Sequence, residues 1–464
     1  MSVSLFSQFS PSGKDDWEKL AEKELKGRLK ELSDWTIGND LHIDPYATQG
    51  EVDPERMARM QACQKKIPGW LNVPKIEFTE PRKTNAAMKH ALENGADAIV
   101  LALGNTDLRH CEFPKLLHGI KLSDTAVFFK TAENPEDLFR EISKNAGYYL
   151  KGGVFLDPLA QWMRTGKPIV DEFAHIVSVL NLAKNMREFR PFMVEGHLYH
   201  NNGADPVQEL AFMIAAAVEC IDRLTDAGIS PLTAFNRILF SVSIGTEFLT
   251  EIAKLRALRF LLRKISDAYQ LPPQLCVPLI HAQTSSFYNA DSAPYTNMIR
   301  SASQAMSAVI GGCNALTVNP YDQQFKNSNE FSSRISRNVS SVLNHESALG
   351  YVADPAAGSY LLETMSLQMA DKAWEMFLEM EDNGGLVKCF DNGYVQKALK
   401  ASLTNKINAL SGTKVMIGVN KFKEGDIEHN KSKPLSQIDE TVFLTDKNLA
   451  DCYKSQGLTI ETQL

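Results

Sequence analysis

The stretch RPFMVEGHLYHNNGADPVQELAFMIAAAVECIDRLTDAGISPLTAFNRILFSVSIG (190–245) contains a complete strand–helix–strand pattern. Two short runs rich in β-branched and aromatic residues, RPFMVEG and RILFSVSIG, flank a segment whose apolar residues recur at helical spacing. That segment, ELAFMIAAAVECIDRLTDAG (209–228), ends in the glycine expected after a helix C-terminus. A strand, a helix and a second strand at this spacing predict one parallel βαβ unit.

The same alternation continues on both sides of this unit. Other segments with helical periodicity are AAMKHALENG and TEFLTEIAKLRALRFLLRKI, and eight strand-like runs are present: ADAIVLAL (96–103), TAVFFK (125–130), GGVFLDP (152–158), RPFMVEG (190–196), RILFSVSIG (237–245), LCVPLIHAQT (275–284), GCNALTVNP (312–320) and LGYVADP (349–355). Eight such units predict an α/β fold, a (β/α)₈ TIM barrel that closes near residue 360. The alternative is an open doubly wound sheet, but no GxGxxG follows the first strand, which argues against a dinucleotide site.

We expect three parts: an N-terminal helix and extended arm (1–65), the barrel (66–400), and a C-terminal extension or start of a linker (401–464). VMIGVNKF (415–422) predicts one further strand, and the polar EGDIEHNKSKPLSQ (424–437) predicts a linker or an exposed loop. The first helix has an apolar stripe that must lie on a partner or on the chain's own core; its residues are Trp17, Leu20, Leu25, Leu29 and Leu32.

Bulk composition excludes several classes of protein. The formal net charge of -7 argues against a general nucleic-acid-binding protein. The seven cysteines are odd in number and form no CxxC motif, which argues against a disulfide framework or a zinc ribbon. The N-terminus does not resemble a signal peptide, and no apolar run is long enough for a membrane helix. We therefore expect a soluble, cytoplasmic protein without membrane association.

Two polar groups at predicted strand ends are candidates for a site, because TIM-barrel active sites form there. His197 and His200 follow RPFMVEG and could be metal ligands, an acid–base pair or structural residues. A metal site needs further ligands, and no HExxH or His–carboxylate pattern surrounds the pair. His281 and Gln283 lie at the end of another predicted strand, without an evident nucleophile–base pair, so an ordinary polar barrel mouth is equally compatible with them.

An ordered series of motifs resembles the barrel of the methylmalonyl-CoA mutase family. The series is QTSSFYN (283–289), YTNMIRSASQAMSAVIGGCNALTVNPYD (295–322), SSRISRNVSSVLNHES (332–347) and YVADPAAGSYLLE (351–363), with EIAKLRALR (251–259) before it. The likeness extends over roughly residues 10–422. It implies adenosylcobalamin-dependent radical rearrangement of an acyl-CoA, in which the cofactor performs the difficult step. It also implies that the CoA arm threads the barrel axis and that a separate flavodoxin-like domain holds the corrin.

The chain departs from the family pattern where the resemblance implies chemistry. Catalytic members have a histidine that binds the thioester carbonyl, and Leu198 stands at that position. If the strand continues that far, His197 cannot replace it, because a one-residue slip along a strand reverses the face. Lys75 stands where a tyrosine packs against the corrin, and Leu279 where an arginine contacts CoA. The corrin-ligating DxHxxG signature is absent, so no cobalamin-binding domain is expected in this chain.

These departures predict the small, non-catalytic subunit of a heterodimeric mutase that interconverts methylmalonyl-CoA and succinyl-CoA. On this interpretation Lys75, Leu198 and Leu279 are degenerate positions, no residue is catalytic, and His197, His200, His281 and Gln283 are residual polar residues of the mouth. Adenosylcobalamin is expected on the large catalytic subunit, and acyl-CoA remains a possible ligand of this chain. The alternatives are a catalytic barrel that works with a separate cobalamin-binding chain, and an acyl-CoA-binding or assembly protein without a mutase partner.

Overall fold

Eight parallel strands form a closed barrel in the computed structural model, which describes residues 12–29, 35–38, 40–145, 149–325, 329–423 and 443–455. The strands run in chain order around the barrel, and the eighth pairs with the first. Their bounds are Leu71–Asn72 with Lys75–Glu77, Ala98–Gly104, Ala126–Thr131, Gly152–Val154, Phe189–Arg190 with Phe192–Glu195, Ile238–Ile244, Leu279–Thr284 and Ala315–Thr317. The predicted (β/α)₈ barrel is thereby confirmed, but its predicted closure near residue 360 is wrong, because the last strand is Ala315–Thr317.

Prolines divide the first and fifth barrel strands into two short halves each. Pro74 and Pro191 lack the N–H that a strand interior needs, so the hydrogen-bonded ladder is interrupted at these residues. Each half pairs with a different neighbour: Leu71–Asn72 pairs with the eighth strand, and Lys75–Glu77 pairs with the second. The first strand was not predicted, because the proline and the short apolar runs beside it are more typical of a loop.

Helices follow the strands and cover the outside of the barrel. Several begin with a proline after a residue whose side chain caps the first turn, as Asp205 does for Pro206–Asp226. The helices from the barrel onwards are Pro81–Glu93, Phe113–Leu116, Pro135–Ser143, Pro158–Thr165, Ile169–Leu182, His197–Asn201, Pro206–Asp226, Pro231–Arg237, Phe248–Ala268, Thr296–Ile310, Glu330–His345, Tyr360–Asp382, Gly385–Asp391, Tyr394–Ser411 and Leu449–Ser455. No helix among the described residues combines the length and the apolar character needed to cross a membrane.

Residues alternate between the two sides of the barrel wall, as the twofold period of a strand requires. On the sixth strand, Phe240 and Val242 face outward into the core between the wall and the helices. Leu239 faces inward, into a separate cluster that fills part of the barrel interior. The inward set also contains Val73, Ala98, Val100, Phe128, Phe155, Met193 and Ala315.

Buried ion pairs join the helix layer at the motifs that carry the family resemblance. Arg256, on the helix Phe248–Ala268, has a fully buried side chain in an ion pair with Asp354. Its Nη2 also lies 2.8 Å from Oε2 of Glu363, which is likewise fully buried. The angles of this contact are those of an ion pair and not of a hydrogen bond. Arg259, one turn further along, donates to the carbonyl of Gly312 at 2.7 Å. These motif residues therefore connect helices to one another and to the loop before the eighth strand.

Two predicted strands are wrong. LGYVADP forms the 3₁₀ helix Leu349–Tyr351 followed by turns, and Tyr351 is 78% exposed, so no neighbouring strand covers it. VMIGVNKF makes only an isolated bridge between Ile417 and Lys421, because Gly418 turns the chain with a φ of 78°. The predicted linker at 424–437 lies outside the described residues.

The N-terminal arm is exposed at its first helix but buried further along the chain, where Ile37, Leu41 and Ile43 belong to the main core. Its helix, Lys14–Glu24, has no buried residue, and Trp17 stacks on Tyr46 with ring centroids 5.0 Å apart. The ammonium group of Lys14 pairs with Asp44 and with Glu51. Leu32, the last residue of the predicted stripe, lies outside the described residues. The division of the chain at residues 65 and 400 stays a prediction.

Candidate functional site

The turn after the fifth strand directs polar side chains toward the barrel mouth. Gly196 connects this strand to the short helix His197–Asn201. A Cβ at residue 196 would lie 2.6 Å from Oε1 of Glu209 and 2.8 Å from Sδ of Met213, so only glycine fits without rearrangement. The strand ends at Glu195, before the histidine pair. His197 and Leu198 lie on a helix, so the alternation of faces along a strand does not decide where their side chains point.

His197 is held against the sixth strand by both ring nitrogens. Its Nδ1 lies 2.7 Å from Oγ of Ser243, and its Nε2 lies 2.6 Å from Oγ of Ser241. The two serines are two residues apart on the strand, so both hydroxyls point to the inner face. His197 thus bridges successive inward positions of one strand.

His281 extends the same hydrogen bonds across two more strands. Its Nδ1 lies 2.8 Å from Oγ of Ser241, and its Nε2 lies 2.8 Å from Oγ1 of Thr317 on the eighth strand. Thr317 in turn donates to the carbonyl oxygen of Val73 on the first strand at 2.6 Å. We call the side chains linked in this way the polar belt; they are Ser243, His197, Ser241, His281 and Thr317.

Burial keeps both imidazoles of the polar belt neutral. It lowers the pKa of His281 to about 3, and the neighbouring His197 acts in the same direction. Burial also lowers the pKa of His197 to about 4, against the opposing attraction of Glu195. A neutral imidazole has one donor and one acceptor nitrogen, and here each nitrogen already has a partner. Neither ring therefore has a nitrogen available to bind substrate or metal.

His200 belongs to a separate, fully buried charge cluster behind the mouth. Its Nδ1 lies 3.3 Å from Oε2 of Glu209, and its Nε2 lies 2.7 Å from Oγ of Ser285. The same carboxylate oxygen of Glu209 accepts from Nζ of Lys254 at 2.8 Å, and Lys254 also pairs with Glu251. Burial raises the pKa of Glu209, but Lys254 and His200 together lower it by more, through charge and hydrogen bonds, so the net shift is downward. The cluster thus places two carboxylates, Glu209 and Glu251, on the single ammonium group of Lys254.

Aromatic rings cross the barrel axis below the mouth. Phe155, directly after the fourth strand, packs on Phe128 of the third strand with ring centroids 5.5 Å apart. Its other side meets the imidazole of His281 on the seventh strand at 5.1 Å. The third and seventh strands are diametrically opposite in an eight-stranded barrel, so the three rings span the axis from wall to wall. We call Phe128, Phe155 and His281 the axial plug.

Three of the positions singled out from the sequence line the inside of the barrel. Lys75 is half-buried on the first strand, and its Nζ pairs with Oε1 of Glu77 at 2.8 Å. Leu279 packs against the inward apolar cluster at the start of the seventh strand. Gln283 is half-buried two residues beyond His281, on the same face of that strand. The structure therefore brings Lys75, Leu279, His197, His281 and Gln283 into one interior.

Leu198 does not share this interior. It is fully buried in the core between the barrel wall and the outer helices. The short helix explains the difference, because consecutive helical residues point about 100° apart. The side chain at the position that the resemblance assigns to the catalytic histidine thus packs outward, and the degeneracy of Leu198, Lys75 and Leu279 stays a prediction.

Several residues of this interior were not predicted from the sequence. The alternation in RILFSVSIG could have identified Ser241 and Ser243, because they occupy every second position of the strand between apolar residues. Phe155 was hidden, since GGVFLDP gives no indication that this ring turns inward across the axis. Which side chain reaches the centre of a barrel depends on the tilt and register of all its strands.

The histidines do not fit a role as ligands of the corrin cobalt that the resemblance implies. His197, His200 and His281 each use both ring nitrogens in contacts with protein groups. Within the described part of the chain, no group of three or more His, Cys, Asp or Glu residues is arranged to hold a metal ion. The ring nitrogens of these three histidines are thus engaged by the protein itself.

A barrel of eight βα units with polar side chains at the carboxyl ends of its strands has the architecture of an enzyme of the TIM-barrel class. The particular family is shown by comparison: the model for methylmalonyl-CoA mutase matches residues 140–452, more than half of the chain. This protein therefore belongs to the methylmalonyl-CoA mutase family.

Individual relatives share a little over a quarter of their residues with this chain. The chain is 27% identical to the methylmalonyl-CoA mutase small subunit of Porphyromonas gingivalis over 437 residues, which is 90% of this chain and 71% of that protein. It is 28% identical to the small subunit from Streptomyces virginiae over 444 residues, covering 90% of this chain and 72% of the relative. The methylmalonyl-CoA mutase of Cereibacter sphaeroides is 27% identical over 493 residues, covering 96% and 68%.

Proposed function

We propose that this chain is the small, non-catalytic subunit of a heterodimeric, adenosylcobalamin-dependent methylmalonyl-CoA mutase. It supplies a barrel scaffold to a large subunit, which holds the cofactor and interconverts methylmalonyl-CoA and succinyl-CoA. We place the complex in the cytoplasm. The names of the relatives in Porphyromonas gingivalis and Streptomyces virginiae support the small-subunit assignment.

The axial plug is the observation that carries this proposal. A barrel that binds acyl-CoA along its axis needs a continuous opening for the pantetheine arm. Phe128, Phe155 and His281 occupy that path, and Phe155 is only 8% exposed. Opening the path would require several buried rings to leave their packing sites, which costs several kcal/mol. We therefore propose that acyl-CoA does not thread this barrel.

The state of the mouth supports the same interpretation. A catalytic mouth needs a donor aimed at the thioester carbonyl, where charge develops in the reaction. Here Leu198 is packed in the outer core, and the nearest imidazole, His197, is bonded to Ser241 and Ser243. The alternative, a catalytic barrel with a separate cobalamin-binding chain, requires an open axis and a free hydrogen-bond donor. The axial plug and the bonded imidazole of His197 both argue against it.

The decisive experiment is affinity purification of the tagged full chain from its native cells. We expect a larger, cobalamin-containing chain to co-purify at a one-to-one ratio and to carry methylmalonyl-CoA mutase activity. The isolated chain should show no saturable binding of methylmalonyl-CoA in equilibrium dialysis. Turnover by this chain with only a small corrin-binding protein added would instead establish the catalytic alternative.

A variant separates a blocked barrel from one that merely lacks its partner. Lys75→Tyr, combined with Leu198→His, introduces the side chains that catalytic members have at those positions. We expect the double variant to remain inactive with added adenosylcobalamin protein, because the axial plug stays in place. Measurable turnover by it would overturn the blocked-axis interpretation.

A further inference from the structure

A cavity of about 490 Å³ lies beside the barrel mouth, and the polar belt and axial plug take no part in it. It opens between the loops after the sixth and seventh strands, the start of the helix Thr296–Ile310 and the C-terminal helix Tyr394–Ser411. Its volume falls within the range of small-molecule sites in proteins. Tyr288 forms part of its wall and separates it from the buried imidazole of His200.

One side of the cavity is apolar. Leu410, Met416 and Leu449 are buried and form its inner wall. Ile299 and Ile417 lie at the rim and are 72% and 49% exposed. Apolar side chains in a concave site favour a ligand with an apolar body, because such a ligand removes this surface from water.

The other side holds a half-buried ammonium group, Lys406, which forms no ion pair within 4.0 Å with a carboxylate of the described residues. The only hydrogen bond of the Lys406 Nζ among the described residues is a long one, 3.4 Å to the hydroxyl of Tyr288. The two carboxylates of the lining are engaged elsewhere: Glu247 pairs with Lys414, and Asp205 accepts from backbone N–H groups at the start of its helix. Burial lowers the pKa of Lys406, but Tyr288 and the two nearby carboxylates raise it by more, so Lys406 lines the cavity as a cation.

Arg300 adds a second cation to the lining. Its guanidinium donates to Oδ1 of Asn297 and to the carbonyl oxygen of Ile417, each at 2.7 Å. Both acceptors are neutral, and no described carboxylate forms an ion pair with it. The charges of Lys414 and Glu247 cancel, because the two side chains pair with each other. Lys406 and Arg300 then leave the lining with more positive than negative charge.

We propose that this cavity binds a small amphipathic organic anion, with its carboxylate on Lys406 and its short apolar chain against Leu410, Met416 and Leu449. A ligand carboxylate would accept a charge-assisted hydrogen bond from Lys406, shorter than the 3.4 Å contact with Tyr288. The apolar chain would cover the inner wall. The site is independent of the mutase assignment, since it needs neither the partner subunit nor an open barrel axis.

Hexanoate is a suitable probe for calorimetric titration of the full chain. We expect saturable binding with a Kd of about 1 mM or tighter. Hexanol has the chain without the charge, and inorganic phosphate has charge without the chain, so both should bind at least about tenfold more weakly. Equal binding of hexanoate and hexanol would show an apolar site without anion recognition and would overturn the proposal, and so would equal binding of phosphate.

Lys406→Met tests the anion contact, because it removes the charge and keeps the length of the side chain. It should weaken hexanoate binding by about tenfold or more, as expected for a lost hydrogen bond to a charged group. Lys400→Met is the matched control, since Lys400 is exposed on the same helix and does not line the cavity. Unchanged hexanoate binding by Lys406→Met, or equal weakening by Lys400→Met, would overturn the proposal.

A rim variant keeps the test valid if Lys406→Met fails to fold. Ile299→Glu places a carboxylate at an exposed position of the mouth of the cavity, where it should not disturb packing. Repulsion should weaken hexanoate binding several-fold and leave hexanol binding nearly unchanged. If both probes bind as they do to the unmodified chain, the anion does not enter through this rim and the assignment fails.

Discussion

The helix layer and the barrel interior differ in the partners of their buried polar residues. In the helix layer, Arg256 is fully buried and paired with Asp354 and Glu363, so charges hold separate segments together. In the interior, two neutral imidazoles are bonded to hydroxyl groups, and rings fill the axis. The motifs that resemble the mutase family lie largely in the first region. The difference teaches that motifs which carry a family resemblance can report on the helix scaffold more than on the barrel interior.

Arg256→Met should produce the largest effect, because it removes a charge on which the helix layer depends. Glu363, with no exposed surface, would remain buried as an uncompensated carboxylate. We expect the free energy of unfolding to fall by about 4 kcal/mol. Urea denaturation followed by circular dichroism measures this change.

Arg263→Met is the matched control for that substitution. Arg263 is on the same helix and pairs with Asp267, but both side chains are more than one-third exposed. Its loss should cost less than about 0.5 kcal/mol. If the two variants lose similar stability, buried charge does not hold the helix layer together and the comparison breaks.

Phe155→Ala tests the barrel interior by removing the central ring of the axial plug. The void left between Phe128 and His281 should lower the free energy of unfolding by about 3 kcal/mol. The same truncation at the surface, Phe331→Ala, should cost less than about 1 kcal/mol, since Phe331 is 49% exposed. A stable Phe155→Ala variant would mean that the ring is not packed across the axis.

The neutral histidines predict a pH dependence of stability. The pKa of His281 is about 3 in the folded chain, against its ordinary value of 6.5, so only the unfolded state takes up a proton between those values. Its contribution is complete above about pH 6.5 and is lost as the pH falls, by about 1 kcal/mol per pH unit. Denaturation midpoints measured from pH 7 to pH 4 should contain this slope, together with one of the same sign from His197.

His281→Asn should remove the uptake of about one proton on unfolding, so stability should fall less steeply with falling pH, by about 1 kcal/mol per pH unit. Asp157 acts with the opposite sign, because burial raises the pKa of its carboxyl to about 7, but it does so in both proteins. The difference between the two curves therefore isolates the histidine. Parallel curves would show that His281 is protonated in the folded barrel, contrary to its place in the polar belt.

Lys75→Tyr should have the smallest effect. The pair between Lys75 and Glu77 is partly solvated, and the side chain of Glu77 is 60% exposed. Stability should change by no more than about 0.5 kcal/mol. On the proposed function, mutase activity of the purified complex should remain the same, because the mouth of this chain takes no part in the reaction. A large change in kcat would place Lys75 in the working site.

Local sequence patterns predicted most of the barrel wall. RILFSVSIG and ADAIVLAL form long, buried strands, and the intervening helices have strong apolar periodicity, so their identity is determined by residues close in the chain. The first strand was missed because Pro74 interrupts it. LGYVADP was wrongly assigned, since its apolar residues lack a strand to pair with and pairing is not a local property.

The site was predicted less completely than the wall. The sequence identified His197, His200 and His281 as candidates because they follow strand-like runs. It did not distinguish their environments, although two of them join the polar belt and the third pairs with Glu209. Spacing along the chain does not report which neighbouring strand or helix supplies a partner.

The sequence by itself determined the alternation of strands and helices, the eight-unit barrel and the resemblance to a mutase family, because periodicity and motif order are written in consecutive residues. Only the tertiary structure decided that Leu198 packs outward, that two histidines remain neutral and that Phe155 reaches from Phe128 to His281. These outcomes depend on contacts between residues far apart in the chain. Burial and pairing arise only when the eight strands close, and they determine whether a polar residue can act or is held in place.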